Sequence, residues 1–309
     1  MKEKRPRVRP GRWLASVCLA GILVVVMMAP NAPASFPGRD GLLVTFAFDF
    51  DAGADLLVTV DPKSGATEEI VADTDDYLGS PHWSPDGERI AFTRSSKAGS
   101  RQSTVWTVNA DGSGETMVGR GVALDYSPDG LKILISDRGD LATVSVDGTR
   151  RRTILKREDL LRRGRGSLSN AAWSPTGKLI AYDANKTGNG TSKRSLYVVR
   201  PNGSGKKPLP SLSGGTEPEW SPNGRTLFYT RNTKVPVKIL SLKLGAERPR
   251  KLTKGYASAV SPSGKTLAFA RVDDLYTVSL AGGEPERLDL LPEADVDPFD
   301  GALDWQPLP

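Results

Sequence analysis

His82 is the only histidine among 309 residues, and it stands immediately before Trp83. Acids take the same place before other aromatics: Asp125 before Tyr126, Glu219 before Trp220 and Asp304 before Trp305. Ala172 precedes Trp173, and Ala259 precedes Val260 in a sixth copy without the ring. Two residues upstream of these positions come Ser80, Ala123, Asn170, Glu217, Ala257 and Ala302. Brought to one place, His82, Asp125, Asn170, Glu217, Glu219 and Asp304 could hold a cation or a polar ligand. Crowded carboxylates repel unless a cation, a proton or water compensates them. Nucleophilic catalysis has less support. The one Cys, Cys18, lies in an N-terminal apolar run, and at most one Ser could have His82 as its base. No catalytic residue is assigned.

The elements that must position these side chains are legible from a repeated phrase. Trp83-Ser84-Pro85-Asp86-Gly87, Tyr126-Ser127-Pro128-Asp129-Gly130, Trp173-Ser174-Pro175-Thr176-Gly177, Trp220-Ser221-Pro222-Asn223-Gly224 and Val260-Ser261-Pro262-Ser263-Gly264 recur, with a truncated Trp305-Gln306-Pro307 near the end. The Ser positions step by 43, 47, 47 and 40 residues, and Gln306 follows after 45. A period in the forties suits a four-stranded propeller blade. Within the phrase, Ser can accept a local backbone hydrogen bond, Pro presets φ, and Gly takes the positive φ that follows, which is the chemistry of a type I turn closing a hairpin. Each turn precedes an apolar strand such as Ile90-Ala91-Phe92 or Leu227-Phe228-Tyr229. The repeated Trp rings are read as packing between blades rather than as a ligand platform.

The two ends complete each other. Leu42–Phe48 and Leu56–Val60 read as second and third strands with no phrase before them, and Leu303-Asp304-Trp305 reads as a first strand with nothing after it. Joined, they make one blade of six and leave no open edge. The predicted fold is therefore all-β, a six-bladed β-propeller of four-stranded blades closed by its C-terminal strand. On these five phrases and the strands after them, residues 41–309 resemble the TolB-like propellers, relatives of the WD-type repeats. TolB itself carries an α/β domain before its propeller, and about seven residues separate Ala34 from the first strand here. Prolyl-oligopeptidase-type propellers are similar too, but no Gly-x-Ser-x-Gly elbow occurs in this chain.

Residues 1–34 read as a signal peptide. Lys2, Lys4, Arg5, Arg7, Arg9 and Arg12 precede an uncharged apolar run, Trp13–Ala29, and small residues at Ala32-Pro33-Ala34. The alternative is an uncleaved membrane anchor. The formal net charge of +6 is mostly the property of this segment, which carries +5. The remainder is close to neutral, so nucleic acid is not an expected partner. The expected location is secreted or periplasmic, with no membrane span after cleavage and a monomeric state.

Two further features concern the loops. Acids cluster at Asp49, Asp51, Asp55, Asp73, Asp75 and Asp76, and again at Asp289–Asp300. Bases cluster between Arg150 and Arg165, including Arg151, Arg152, Arg162 and Arg163, with Lys186, Lys193 and Arg194 beyond. These predict a loop face of two signs that docks an extended or dipolar partner. Asp49-Phe50-Asp51-Ala52-Gly53-Ala54-Asp55 has the alternate acids of a short calcium loop but no Glu at the twelfth place, so calcium is a minor expectation and no other cofactor is implied. The function expected is a non-catalytic module that binds a protein or envelope component. The alternative is a metal-dependent hydrolase or lyase working in the central channel, although lyase-type propellers use several His ligands where this chain has one.

Overall fold

The structure is a computed structural model, and it describes residues 38–99, 102–160, 168–188, 191–209, 214–231, 236–271, 274–290 and 303–309. The predicted signal peptide lies outside them. The strands form six four-stranded antiparallel sheets. Their innermost strands are Asp304–Leu308, Asp76–Trp83, Val122–Tyr126, Leu168–Trp173, Gly215–Trp220 and Tyr256–Val260, and each touches the next around the ring. The predicted closure is present. Asp304–Leu308 pairs antiparallel with Arg39–Asp49, setting Leu43 opposite Trp305 and Val44 opposite Asp304.

The turns form as their residues dictate. In all five Ser-Pro phrases the Gly N–H donates to the Ser carbonyl at 2.7–2.8 Å. The Ser hydroxyl oxygen accepts the N–H of the residue five places on, at 2.9–3.1 Å. These hydroxyls are therefore caps, as expected. The turns also pack around the ring. Gly87 has φ +71°, and a Cβ built there would lie 2.4 Å from the Pro307 carbonyl oxygen, while the Gln306 amide donates to the Gly87 carbonyl at 2.9 Å. Gly87→Ala adds both a clash and a left-handed strain, so its melting midpoint is expected to fall by an amount equivalent to about 1–3 kcal/mol. A thermal melt by circular dichroism checks this.

The core consists of apolar clusters between adjacent blades. Trp83 of the second blade packs with Val44, Leu57 and Ile70 of the first. Trp220 of the fifth packs with Ala181 and Leu196 of the fourth. Trp305 of the first packs with Ala257 and Leu275 of the sixth. The rings are mortar between blades, in agreement with the sequence reading.

Regular alternation breaks where it matters for the channel. Five of the six inner strands lose register with their neighbours just before the position that carries His82, Asp125 or Glu219. Pro81 and Pro218 sit inside two of these bulges, where the missing N–H takes nothing from a ladder. Ser80, Glu217 and Ala257 occupy the left-handed region there, with φ of 54°, 52° and 48°. An unbroken strand would set side chains two residues apart at successive levels on one face. The bulge instead re-aims both.

Candidate functional site

A cavity of about 120 Å³ lies between the six inner strands. That is room for a few water molecules or one small polar solute. Its lining includes His82, Asp125, Asn170, Glu217, Glu219 and Asp304, all six of the predicted channel residues. Ser80, Ala123, Ala172, Ala257 and Ser258 complete much of the wall. Ala302 lies outside the described residues.

The three acids that precede an aromatic fall on alternate blades, the first, third and fifth, and each holds the blade after it. Asp304 Oδ2 accepts the Trp83 N–H at 2.6 Å. Asp125 Oδ2 accepts the Trp173 N–H at 2.7 Å. Glu219 Oε1 accepts the Val260 N–H at 2.5 Å. The carboxyls thus act as latches across three of the six blade junctions. Glu217 makes a fourth link by accepting the Ala257 N–H at 3.2 Å.

Burial dominates the electrostatics. It drives Asp125 and Glu219 well above the ordinary carboxylate range, and the backbone N–H bonds oppose it only in part. The charge of Asp304 raises both further, and Asp125 adds to Glu219. Asp304 is raised to about 7 by burial, against the N–H groups of Trp83 and Trp305. Glu217 is also raised, chiefly by burial. His82 is pushed down to about 4 by burial, so it is neutral at pH 7 and supplies no charge to the acids. Two polar atoms of the wall, Glu219 Oε2 and Ser258 Oγ, are sealed from solvent with no hydrogen-bond partner.

Asp183 is a structural acid that the sequence reading missed. It is fully buried on the second strand of the fourth blade. It accepts the Ser169 and Asn170 N–H groups at 3.1 and 3.3 Å, the Asn170 side-chain amide at 2.9 Å and the Glu217 N–H at 3.4 Å, with Arg194 Nη1 at 3.8 Å. The signal lay in the repeat. Asp183 takes the place of Thr93, whose hydroxyl oxygen accepts the Ala123 N–H of the following blade at 2.9 Å. An acid in that register marks the same task with a stronger acceptor.

The loop face is partly as expected. Asp49 Oδ1 accepts the Asp51 and Ala52 N–H groups, and Asp55 pairs with Lys97 Nζ at 2.7 Å, so backbone and an ammonium engage two acids of the short loop considered for calcium. Lys97 also donates to the Thr74 carbonyl at 3.2 Å and lies 5.8 Å from the Phe48 ring and 5.4 Å from that of Tyr77. Phe50 packs edge-on against Phe48 at 5.0 Å. Phe50 and Tyr77 are 65% and 57% exposed, a pair of large rings held at the surface. The basic half divides. Arg151 and Arg152 open an outer strand directly after the Asp147-Gly148 turn, on the face of the Ser-Pro turns, where the Val146 N–H donates to the Leu131 carbonyl. Arg151 pairs with Asp137 at 2.9 Å. The chain reaches the acidic face only after Leu155, where Arg157–Leu160 makes one helical turn. Arg162, Arg163 and the acids from Glu293 to Asp300 lie outside the described residues, as do the side chains of Lys186 and Lys193.

Among the described residues no helix is long and apolar enough to cross a membrane. No family model matches the sequence, and no curated protein does. Solved structures do. TolB from Acinetobacter baumannii is similar at 16% identity and a TM-score of 0.65, over 89% of this chain and 68% of that one. A chain of the nidogen/laminin complex is similar at 12% identity and a TM-score of 0.64, over 86% and 98%. An oligogalacturonate lyase in complex with manganese is similar at 12% identity and a TM-score of 0.51, over 86% and 76%. At such identities the likeness is one of fold, and that fold is a TolB-like six-bladed propeller.

Proposed function

We propose that this chain is an exported, non-catalytic binding module whose loop face docks a protein or envelope component. The observation that carries the reading is the exposed ring pair Phe50 and Tyr77, fixed by Phe48 and Lys97 and rimmed by Asp51 and Asp75. Rigid surface aromatics are the usual anchors of protein interfaces, and they lose little entropy on binding when already held in place. The acidic rim selects a basic segment of the partner. The likeness to TolB and to a chain of the nidogen/laminin complex supports an interaction role for this fold.

The test is cross-linked capture from the native envelope with wild-type protein and with Phe50→Ala/Tyr77→Ala. The double variant is expected to lose the wild-type set of captured proteins. Equal capture by both contradicts the reading. Charge reversal at Arg151, Arg152, Arg162 and Arg163 measures the basic residues separately. The second reading, a metal-dependent hydrolase or lyase in the channel, draws on the channel acids and on the manganese-bound lyase of the same fold. It requires a manganese or calcium gain in thermal stability that Asp125→Ala/Glu219→Ala abolishes.

A further inference from the structure

We infer that the Ser-Pro face of blades three to five is a docking surface for an anionic phospholipid membrane. The inference goes beyond the loop-face reading and shares with it only the export of the chain. Consecutive Ser-Pro turns touch here: a Cβ built on Gly177 would lie 3.3 Å from Pro128, and one on Gly224 would lie 3.6 Å from Pro175. Each turn puts an exposed cation just after its Gly, in order Lys132, Lys178 and Arg225. The outer turn of each blade adds a second exposed cation beside the first. Arg150 accepts from Ser145, which stands opposite Lys132; Arg200 follows Val199, opposite Ile180; and Lys243 stands opposite Thr226. The acids of these turns are Asp129, Asp147 and Glu247. Asp129 and Asp147 accept from hydroxyl and N–H groups of their own turns, and Asp129 also faces Lys132 at 3.6 Å. Turn chemistry does not account for the excess of positive charge. The residue after Pro meets the Ser hydroxyl in every phrase, as Asp86 and Asp129 do in blades two and three. Blades four and five give the same task to the neutral Thr176 and Asn223. Among the described residues Lys178, Arg200, Arg225 and Lys243 accordingly pair with no carboxylate.

Two observations select lipid as the partner. Leu131 and Leu244 are 61% and 39% exposed, each directly beside a cation of the patch, Lys132 and Lys243. Leucines that project among cations enter the boundary between headgroups and acyl chains while the cations meet lipid phosphates. A soluble polyanion offers such leucines nothing. A protein interface is anchored on aromatics, and the exposed ones here, Phe50 and Tyr77, stand on the opposite face. The second observation is the point of attachment. The described chain begins at Gly38, packed on the Leu308 carbonyl, and Arg39 stands opposite Leu308 beside the Ser-Pro turns. The apolar run Trp13–Ala29 therefore joins the propeller from this side. A chain brought to a membrane by that run arrives with its basic turns toward the lipid.

The experiment is co-sedimentation of the exported protein with phosphatidylcholine vesicles and with vesicles in which about 30 mol% is replaced by phosphatidylglycerol, at about 0.1 M salt. Binding to neutral vesicles measures any apolar N-terminal segment that export leaves in place, and the anionic increment measures the face. The increment is expected to be about 10-fold or more and to shrink steeply at about 0.5 M salt. Lys178→Glu/Arg200→Glu/Arg225→Glu/Lys243→Glu should abolish it, and Gln at the same four positions should lower it. Leu131→Ser/Leu244→Ser should lower anionic binding about threefold. Arg138→Glu/Lys156→Glu/Arg157→Glu/Lys254→Glu makes the same change in net charge on the loop face and should keep the increment. Equal binding to the two vesicle types, an increment that survives in the Glu or Gln set, an equal loss in the loop-face set, unchanged binding of the leucine variant, or tighter binding to soluble polygalacturonate than to vesicles at equal anionic charge overturns the inference. Phe50→Ala/Tyr77→Ala should bind vesicles as the wild type does, so this inference and the loop-face reading fail separately.

Discussion

Removal of Asp304–Pro309 is expected to abolish cooperative folding. The segment is the inner strand of the first blade, paired to Arg39–Asp49. It carries Trp305, buried against the sixth blade, and Asp304, which latches the second. Gln306 adds contacts on both sides, accepting the Leu42 N–H at 3.1 Å and donating to Gly87. Loss of a buried Trp alone costs about 3–5 kcal/mol. Each backbone group left unpaired adds about 1–3 kcal/mol. Against a typical total of about 5–15 kcal/mol, the truncated ring has little left. The exposed strand edge also invites aggregation. A circular-dichroism melt should show no sharp transition above 25 °C, and a synthetic peptide of residues 303–309 should restore one. A truncated protein that melts cooperatively within a few degrees of the full chain would show that closure contributes little.

The second large effect is the stability that Asp304 loses as pH rises from about 4 to about 7. Asp304 titrates near 7 in the fold and near 3.9 in the unfolded chain. Between those values the folded state keeps a proton that the unfolded state has released, so stability drops as pH climbs through the window. For this one group the whole loss is on the order of 4 kcal/mol. Asp125 and Glu219 are raised well above their ordinary range and act in the same direction. His82 acts oppositely. Its folded value of about 4 lies below the unfolded 6.5, so its contribution rises between those limits and is flat above them. Above pH 6.5 only the carboxyls contribute, and the last part of the Asp304 loss, on the order of 1 kcal/mol, falls between pH 6.5 and 8.5. The wild-type midpoint should fall there, and Asp304→Asn, whose amide oxygen can accept only one of the Trp83 and Trp305 N–H groups that Asp304 holds, should flatten the slope. Asp304→Ala should instead lower the midpoint at every pH, because the Trp83 N–H loses its acceptor. Midpoints measured for the three proteins across that window decide it. An Asn variant as unstable as the Ala variant would mean that the charge itself is the structural element.

The legible part of this molecule was whatever the repeat controls. The Ser-Pro-x-Gly phrases encode turns by local chemistry, and a blade split between the two ends of the chain implies its own closure. Equal register around a ring then places His82, Asp125, Glu219 and Asp304 at the axis, where the structure has them. Side-chain direction was less legible. Alternation along the inner strands ignores the bulges, whose signal was a Pro at 81 and at 218 in the middle of apparent strands. Asp183 was hidden because it lies on a second strand read only for its apolar residues. The latches could not be read because they join residues 41 to 221 positions apart, through the pitch of one blade against another. Arg151 and Arg152 open an outer strand beside a turn on the Ser-Pro face, a placement that the charge pattern alone does not carry, while Arg162 and Arg163 lie outside the described residues.

The central claim is that three desolvated carboxyls, Asp125 buried and Glu219 and Asp304 half-buried, stand on alternate blades around one central cavity with no opposing charge among the groups that shift them. Carboxyl carbon-13 chemical shifts of Asp125, Glu219 and Asp304, followed from pH 3 to 9 and assigned with the single amide variants, measure this directly. The account predicts midpoints well above the ordinary carboxylate range for Asp125 and Glu219 and about 7 for Asp304, with removal of Asp304 lowering the other two. Midpoints below 5 that do not respond to one another would contradict it.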